Sequence, residues 1–134
     1  MPAKIIYCAD GIARYEETQK IVVIERLKSV RGLAFPGGKQ EPGEYLSATI
    51  LREFQEETGL RFEVRGVLGV YAEPGRDPRG NYISTVFVGI ARGEIRCEPD
   101  KTRVLLYDTG DLKRMMQYLM FDHAQMFSDY LERR

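Results

Sequence analysis

Three glutamates stand close together near the middle of the chain, Glu53, Glu56 and Glu57. On a helix, which turns about 100° per residue, their side chains fall within an arc of about 100°. Like charges at this spacing repel by roughly 0.2–0.5 kcal/mol per pair, and Arg52, four residues before Glu56, offsets only part of that cost. A divalent cation would turn the repulsion into attraction, since Mg²⁺ and Mn²⁺ prefer hard oxygen ligands. The alternative is a solvated acidic face, and the spacing alone leaves both open.

Two turn segments and one helix must position these acids. Residues 36–38, Pro-Gly-Gly, and 41–43, Glu-Pro-Gly, predict a loop shaped by special backbone angles. Between Glu44 or Tyr45 and Thr58 there is no Gly or Pro, which predicts a helix of about four turns. Gly59 then stands where a left-handed C-terminal cap is expected. The apolar residues of this helix fall mainly away from the acids and predict its core face: Ala48, Ile50, Leu51 and Phe54.

The stretch from Gly38 to Leu60 as a whole resembles the Nudix hydrolase box. The box pattern is G-x5-E-x7-R-E-U-x-E-E-x-G-U, in which U is a bulky apolar residue, and the chain fits every fixed position. The matching residues are Gly38, Glu44, Arg52, Glu53, Phe54, Glu56, Glu57, Gly59 and Leu60. A match of this length is highly specific, in contrast to a short motif.

The resemblance implies hydrolysis of a nucleoside diphosphate linked to another group. It implies Mg²⁺ as the cofactor, with Mn²⁺ as an alternative, and a small nucleotide as the partner. Arg52 would orient a carboxylate rather than touch substrate, and Gly38 and Glu44 would support the loop and the metal shell. The metal ligands implied by the family are Glu53, Glu56, Glu57 and the backbone carbonyl of Gly37.

The chemistry of the reaction supports these roles independently of the family. Pyrophosphate hydrolysis near neutral pH requires neutralised phosphate oxygens, a water of lowered pKa and in-line geometry, all of which Mg²⁺ ions on three carboxylates supply. Close carboxylates titrate as a coupled set, so one can accept the water's proton while the others hold metal. We expect this base to be Glu53 or Glu56, with a residue of a later loop as the alternative.

A second loop, within residues 71–84, YAEPGRDPRGNYIS, carries the substrate information. Its prolines and glycines predict a connection between strands, and the planar guanidinium groups of Arg76 and Arg79 suit phosphate. The alternative is a solvent-exposed hairpin tip. The loop, the LAFPGG segment before the box and FDHAQMFSDYL near the end are similar to the ADP-ribose pyrophosphatase branch of the family. That likeness implies that Arg76 and Arg79, with Asp77 between them, bind the diphosphate or terminal ribose of ADP-ribose, which is cleaved to AMP and ribose 5-phosphate.

Three positions depart from that branch. Lys39 stands where an aromatic residue is frequent, Asn81 stands where His is frequent, and Arg103 lies near a position that is often acidic. If that acid is a metal ligand or general base in relatives, the candidates to replace it in this chain are Glu98, Asp100 and Asp77.

Rival functions are a Nudix hydrolase of nucleoside triphosphates or dinucleoside polyphosphates, and a non-catalytic sensor of ADP-ribose.

The order of predicted elements indicates an α+β fold. Strands are predicted at residues 4–9, 20–27, 62–72, 82–91 and 104–107, and closing helices at 111–118 and 121–133. The first two strands are expected to form a hairpin, and strand 82–91 to be buried on both faces. The resemblance implies one Nudix domain over residues 1–134, with its box at 38–60, built as an α/β/α sandwich around a mixed β-sheet. A chain of 134 residues with 43% apolar content suits one such core.

Composition excludes several other classes of protein. Twenty basic and twenty acidic side chains cancel, which favours neither nucleic acid nor membrane as a partner. Without a leader or an apolar run of about 18 residues, a cytoplasmic location is expected, with Cys8 and Cys97 as reduced thiols. His123, the single histidine, excludes a His-rich zinc site and is expected to form a structural hydrogen bond.

Two further sets of residues have open roles. The candidates for stacking on adenine are Tyr7, Phe35, Tyr71 and Tyr82. The methionines near the C-terminus are expected to pack in the core or an interface: Met115, Met116, Met120 and Met126. The sequence leaves the oligomeric state open: relatives of this branch are often dimers, and the methionine-rich C-terminal helices offer a surface for a homodimer.

Overall fold

A computed structural model of the protein describes residues 4–28 and 30–133. Within these ranges the chain forms seven strands: β1 (Ile5–Tyr15), β2 (Ile21–Arg26), β3 (Gly32–Ala34), β4 (Gly37–Lys39), β5 (Arg61–Tyr71), β6 (Asn81–Arg92) and β7 (Thr102–Tyr107). The helices are α1 (Leu46–Thr58), α2 (Thr109–Arg114) and α3 (His123–Glu132), and a single 3₁₀ turn covers Met116–Tyr118. No helix of the described part is long and apolar enough to cross a membrane.

The strands form one mixed sheet, as predicted. The order across the sheet is β3-β2-β1-β6-β5, with β4 also paired to β1 and β7 also paired to β2. Strands β1 and β6 run parallel along their whole length, from Ile5 opposite Asn81 to Tyr15 opposite Ala91, while the other pairings are antiparallel. The central strand β1 therefore lies between β2, the next strand along the chain, and β6, which comes from a distant part of it.

Helices cover both faces of this sheet, which confirms the α/β/α sandwich. Successive side chains of a strand point to opposite faces, and Val86 and Phe87 of β6 accordingly belong to different buried clusters. On one face the cluster includes Ile50 and Phe54 of α1, Phe62 and Phe87. On the other it includes Leu112 of α2, Met126 and Phe127 of α3, Ile12 and Val86.

The first strand is longer than predicted, and its hairpin is only partial. Strand β1 continues six residues beyond Ala9 because β6 pairs with it as far as Tyr15. Its middle is enclosed, since a Cβ on Gly11 would lie 2.9 Å from the ring of Phe62. The described pairing between β1 and β2 joins Arg14 to Ile21, beside the turn. Asp10 and Gly11 thus belong to a buried strand, and the small size of Gly11 is required by the neighbouring side chains of Phe62 and Ile50.

The box helix forms where expected, but the turn before it and its core face differ from the prediction. Helix α1 ends at Thr58, and Gly59 caps it with φ 76° in the left-handed region. Residues 37–39 are strand β4 rather than a loop, and neither Gly37 nor Gly38 has a positive φ. The residues of α1 that are buried are Thr49, Ile50, Phe54, Glu57 and Thr58, whereas Ala48 and Leu51 are exposed.

The closing helices are shorter than predicted. The segment expected as one helix over 111–118 is α2 followed by the 3₁₀ turn, and α3 begins only at His123 because Phe121 has φ 55°. The methionines pack as expected, since Met126 is fully buried and Met115 and Met116 contact its cluster. Strands β2, β5, β6 and β7 lie within two residues of their predicted bounds.

Substitution of two glycines in the box region allows the cost of a left-handed backbone to be measured apart from the cost of steric crowding. Gly43 and Gly59 have nearly equal φ, 78° and 76°, but a Cβ on Gly43 meets nothing within 4 Å while one on Gly59 lies 2.7 Å from the backbone nitrogen of Arg96. We expect Gly43→Ala to lower the free energy of unfolding by about 1 kcal/mol, the cost of a left-handed alanine. Gly59→Ala should cost about 1–3 kcal/mol more, because backbone must move. Urea unfolding of both variants measures the difference, and equal losses would contradict the crowding at Gly59.

Candidate functional site

Strand β4 lies unusually close to its neighbours on both sides. It pairs with β1 so that Gly37 is opposite Asp10 and Gly38 is opposite Ala9. A Cβ on Gly37 would lie 2.1 Å from Oδ1 of Asp10, and one on Gly38 would lie 2.4 Å from the carboxyl carbon of Glu53. At Gly37 the backbone of β1 is also in the way, with the Ala9 carbonyl oxygen at 2.4 Å, so glycine is required there by lack of space, whereas a side chain at Gly38 would have to displace the Glu53 carboxylate. The carboxylates of Asp10 and Glu53 contact the β4 backbone from β1 and from α1 respectively.

Glu57 reaches the same strand from the next turn of α1. Its side chain is only 8% exposed, and its Oε1 accepts a 2.8 Å hydrogen bond from the backbone N–H of Gly37. The pKa of Glu57 is raised to about 8, mainly by burial and also by the neighbouring carboxylates of Glu53 and Asp10, against the lowering effect of the Gly37 N–H. Ionised Glu57 is thus unfavourable here unless a cation compensates its charge.

Arg52 connects the box helix to the loop before it. Its guanidinium group donates to both carboxylate oxygens of Glu44, at 2.8 and 3.0 Å, to Oε1 of Glu53 at 2.7 Å and to the carbonyl of Lys39 at 3.0 Å. The pKa of Glu44 is lowered to about 2. The hydrogen bonds from Arg52 are the largest cause, followed by a hydrogen bond that Glu44 accepts from the backbone N–H of Glu41. Glu44 also accepts from the Thr49 hydroxyl at 2.7 Å. Arg52 and Glu44 therefore hold the loop and orient the Glu53 carboxylate.

The three box acids are not equivalent. Glu53 and Glu57 lie against β4, while the side chain of Glu56 is 51% exposed and its carboxylate lies 3.5 Å from Nη1 of Arg52. Across residues 4–28 and 30–133, no three Asp, Glu, His or Cys side chains converge closely enough to hold a metal ion as they stand. The ligand groups nevertheless fit a hard cation, because the carboxylates of Glu53 and Glu57 meet at Gly37 and Gly38, which we call the diglycine, and burial raises the pKa of both carboxylates.

A pocket adjoins the diglycine on the side away from α1. We name it the arginine pocket, and its lining is Cys8, Asp10, Ile24, Arg26, Ala34, Phe35, Gly37, Gly38, Lys39, Arg76, Asp77, Arg79, Tyr82, Phe121 and His123. All three residues predicted in the substrate loop, Arg76, Asp77 and Arg79, line it. The loop also joins the antiparallel strands β5 and β6, and its residues 72–75 and 78–80 are exposed, so an exposed hairpin connection and a pocket-lining segment occur together. Gly37 and Gly38 contact the box acids and also line the pocket, so the two predicted sites share one strand.

Most of the charge on this loop is paired within the protein. The side chain of Arg76 is 4% exposed, donates to both oxygens of Asp122 at 2.8 and 2.7 Å and reaches the carbonyl of Tyr82 at 3.2 Å. Asp77 is buried and accepts from the backbone and side chain of Arg79 at 2.7–3.0 Å. The side chain of Arg79 is 32% exposed and retains surface for a ligand. The loop residues thus divide into two that shape the pocket and one that is partly available.

Asp10 is a site residue that the sequence prediction missed. It is buried, its Oδ2 accepts a 2.5 Å hydrogen bond from the Ser84 hydroxyl, and it borders both the diglycine and the arginine pocket. The signal available in the sequence was a single acid between apolar residues 5–9 and Ile12, which marks a buried carboxylate once the strand is known to continue.

His123 forms the structural hydrogen bond that was predicted. Its Nδ1 accepts from the backbone N–H of Phe35 at 3.0 Å, and its ring stacks on that of Phe35 with centroids 5.7 Å apart. Burial lowers the pKa of His123, and the carboxylates of Asp10 and Asp122 act in the opposite direction. A neutral ring that accepts at Nδ1 carries its proton on Nε2, which lies 3.9 Å from Oδ2 of Asp10.

The acids considered as replacements near Arg103 and the aromatic residues considered for stacking on adenine lie in different parts of the structure. Of the three acids considered as replacements near Arg103, Glu98 alone lines a pocket with Glu57, whereas Asp100 lies in an exposed turn and Asp77 is bound by Arg79. Arg103 itself lies 3.3 Å from Glu25. Among the aromatic candidates, Tyr7 is exposed outside the arginine pocket and Tyr71 donates to Asp129, while Phe35 and Tyr82 line the pocket.

Comparison with known proteins identifies the family. The sequence model of the NUDIX domain matches residues 8–128. The chain belongs to the Nudix family. It is 39% identical to the ADP-ribose pyrophosphatase of Methanocaldococcus jannaschii over 125 residues, which are 91% of this chain and 70% of that protein. The predicted family, its ADP-ribose pyrophosphatase-like branch and the expectation of a hydrolase are thereby confirmed.

Solved structures of other Nudix domains share the fold. A bifunctional NMN adenylyltransferase/ADP ribose pyrophosphatase from Francisella tularensis, complexed with AMP and a Mn ion, has a TM-score of 0.85 at 23% identity. The match covers 98% of this chain but only 42% of that protein. The NUDIX domain of Shewanella oneidensis NrtR, complexed with ADP ribose, has a TM-score of 0.79 at 21% identity, covering 99% of this chain and 90% of that domain. At these identities the likeness establishes the fold of this Nudix domain.

The raised pKa of Glu57 predicts a pH-dependent stability of the metal-free protein. Unfolded glutamate has a pKa of about 4.3, while folded Glu57 has a pKa of about 8. The free energy of unfolding should therefore be highest below about pH 4.3, as far as this group is concerned, and fall as the pH rises through about 8. Glu57→Gln retains an oxygen for the Gly37 N–H but does not ionise, so it should remove most of this fall.

Urea unfolding in EDTA between about pH 5 and pH 9 tests this linkage. A variant that kept the full pH dependence would show that the raised pKa belongs to another group. Glu63→Gln, at an exposed acid of β5, serves as the matched control and should behave like the wild type.

Proposed function

We propose that this Nudix domain hydrolyses the pyrophosphate bond of ADP-ribose to give AMP and ribose 5-phosphate. The observation that carries the proposal is the 39% identity to the Methanocaldococcus ADP-ribose pyrophosphatase across 91% of the chain, which includes both the box and the substrate loop. The geometry supports it, because the box acids and the arginine pocket meet at Gly37 and Gly38. A diphosphate at the acids would therefore place one of its two substituents in the pocket.

The proposed metal ligands are Glu53, Glu56, Glu57 and the carbonyl of Gly37. Glu56 is exposed and held only at 3.5 Å, so its side chain can turn toward the other two. When bound, Mg²⁺ supplies charge neutralisation for the diphosphate and lowers the pKa of a water. We propose Mg²⁺ as the natural ion, and the Mn ion in the Francisella protein supports a divalent metal in this fold.

The other box residues prepare this arrangement. Arg52 holds Glu53 at 2.7 Å and is itself held by Glu44, so the carboxylate of Glu53 is fixed before substrate binds. Glu56 suits the general base better than Glu53, because its carboxylate is more exposed and only weakly engaged by Arg52. Glu98, which lines a pocket with Glu57, is the alternative from a later loop.

In the substrate loop the proposed contacts differ from those first expected. Arg79 is the proposed contact to the diphosphate or the ribose, because part of its guanidinium group remains exposed. Arg76 and Asp77 are proposed to shape the loop, since Arg76 is committed to Asp122 and Asp77 to Arg79. The pairing of Arg76 with a partner 46 residues away cannot be seen from residue type alone.

The proposal also includes a cytoplasmic, homodimeric protein. Cys8 and Cys97 are both free thiols, which fits a reducing compartment. Strand β5 lies at one end of the sheet order and carries two exposed apolar side chains, Val67 and Val70, which offer a surface for a second copy.

A product assay with Mg²⁺ tests the proposed activity. Purified protein is offered ADP-ribose, a dinucleoside polyphosphate and several nucleoside triphosphates in parallel, and we expect AMP to be released from ADP-ribose well above the rest. Glu57→Gln should lower kcat at least about 100-fold, because it removes a charged ligand, while its folding is verified by the unfolding experiment above. Turnover confined to triphosphates would reject ADP-ribose as the substrate, and binding without turnover would favour a sensor.

Two arginine variants test the division of roles in the loop. Arg79→Ala should raise KM for ADP-ribose about 10- to 100-fold, the value of one charged hydrogen bond to phosphate, and should also lower the Tm, because buried Asp77 loses its partner. Arg76→Ala should lower the free energy of unfolding by about 3 kcal/mol, because Asp122 loses its partner, with little change in KM of the folded variant. Arg114→Ala, at an exposed arginine outside the pocket, is the control for both measurements. A reversed pattern would assign the substrate contact to Arg76.

A further inference from the structure

Exposed apolar side chains concentrate on two strands of the sheet. Within residues 4–28 and 30–133, seven large hydrophobic side chains are exposed, and four of them belong to β1 and β5. Ile5 and Tyr7 of β1 are each 47% exposed, and Val67 and Val70 of β5 are 57% and 62% exposed. The two strands lie on either side of β6, so these four side chains are close enough to form one patch.

Strand register places Ile5 and Tyr7 on the face of the sheet that α1 covers further along. Ala9 belongs to the buried cluster beneath α1, and side chains two residues apart on a strand point to the same face. In the parallel pairing with β6, Tyr7 is opposite Ile83, which is partly buried. The side chain of Ile83 therefore lies beside that of Tyr7 on this face.

Val67 and Val70 lie on the same face of the sheet. Val67 is opposite Phe87, which belongs to the cluster beneath α1, and Val70 is opposite Thr85. Directly opposite residues of antiparallel strands share a face. Helix α1 thus covers one part of this face and leaves another part open to solvent. We name the open part the bare face, and its residues are Ile5, Tyr7, Val67, Val70, Ile83 and Thr85.

The size and the charge of the bare face suit a second copy of the chain. Its four exposed side chains leave on the order of 400 Å² of mostly apolar surface, which is close to the largest patch of a typical monomer and about half of one partner's share of a standard interface. None of its six side chains is charged, and the whole chain has a formal net charge of +0. Two copies can therefore meet there without mutual repulsion and without burying an unpaired charge.

The shape of the bare face also suits a second sheet. It forms a step beside α1, because the helix rises above the sheet on one part of the face only. Two sheets pack face to face about 10 Å apart, so a partner's sheet would continue the layer that α1 begins. About a twofold axis each bare face covers the other, which makes the contact self-complementary.

We propose that the bare face is the contact surface for a second copy of this chain, packed sheet face against sheet face. This inference rests on the homodimer that forms part of the proposed function and adds the surface and the mode of packing. It differs from strand pairing along the β5 edge. Ile5 and Tyr7 are two strands in from that edge, roughly 10 Å at the usual strand spacing, and would not contact an added strand.

Analytical ultracentrifugation of matched lysine variants tests this surface. Tyr7→Lys places a charge on the bare face, where water solvates it in the monomer but not in the dimer. We expect it to raise the Kd of the dimer at least about 30-fold, the effect of removing one aromatic residue central to an interface. Tyr118→Lys makes the same change at a tyrosine that is 59% exposed and lies outside the bare face. This control should keep the Kd within about twofold of the wild type.

A conservative variant on a second strand guards against misfolding. Val70→Thr keeps the β-branched shape of the side chain but adds a hydroxyl group, which loses its water when the bare face is covered. It should raise the Kd of the dimer about 3- to 10-fold. Circular dichroism spectra of all three variants should match that of the wild type.

The outcomes separate this inference from the rest of the proposed function. A wild type that stays monomeric at every concentration would overturn both the bare face and the homodimer, whereas a dimer unaffected by Tyr7→Lys and Val70→Thr would overturn the bare face alone. Hydrolysis of ADP-ribose is measured on the same preparations. A dimer that dissociates in Tyr7→Lys but hydrolyses only nucleoside triphosphates would support the bare face and reject the substrate.

Discussion

The close approach of strand β4 to β1 and to α1 is the constraint on which the site depends. No side chain fits at Gly37, because the carboxylate of Asp10 and the backbone of β1 are in the way, and one at Gly38 would displace the carboxylate of Glu53. The two glycines therefore allow two elements, β1 and α1, to bring their acids to one short strand. The same strand lines the arginine pocket, so a substituent at either glycine would disturb the acids and the pocket together.

This arrangement places like charges where water is scarce. Asp10 and Glu57 are buried, Glu53 is partly buried, and burial raises the pKa of Glu53 and Glu57. Within the described part of the chain, Arg52 compensates Glu53 and Glu44 but forms no hydrogen bond with Glu57. The direct partner of Glu57 is the Gly37 N–H. Such a cluster is costly for an apoprotein and favourable with a divalent cation, which is the physical reason for proposing a metal at these residues.

Local patterns predicted the elements whose signal lies within a few residues. The box helix, its Gly59 cap and the bounds of β2, β5, β6 and β7 were predicted because propensity and periodicity act locally. Strand β4 and the second half of β1 were missed because pairing partners decided them. Asp10 accepts its hydrogen bond from Ser84, 74 residues away, and no local pattern in β1 predicts that contact. Phe121 was assigned to a helix because nothing in its own neighbourhood predicts a left-handed backbone.

In the substrate loop, too, contacts with distant residues decide what the local sequence cannot predict, here for single side chains. Residue type established what Arg76 and Arg79 can bind, since any guanidinium group matches a phosphate or a carboxylate. Partners then separate the two: Arg76 is buried on Asp122, whereas Arg79 is held from one side by Asp77 and keeps part of its surface. The acid that immobilises Arg79 also fixes it beneath Phe121. One buried carboxylate, Asp77, therefore positions the guanidinium group that lies against the rings of Tyr82 and Phe121.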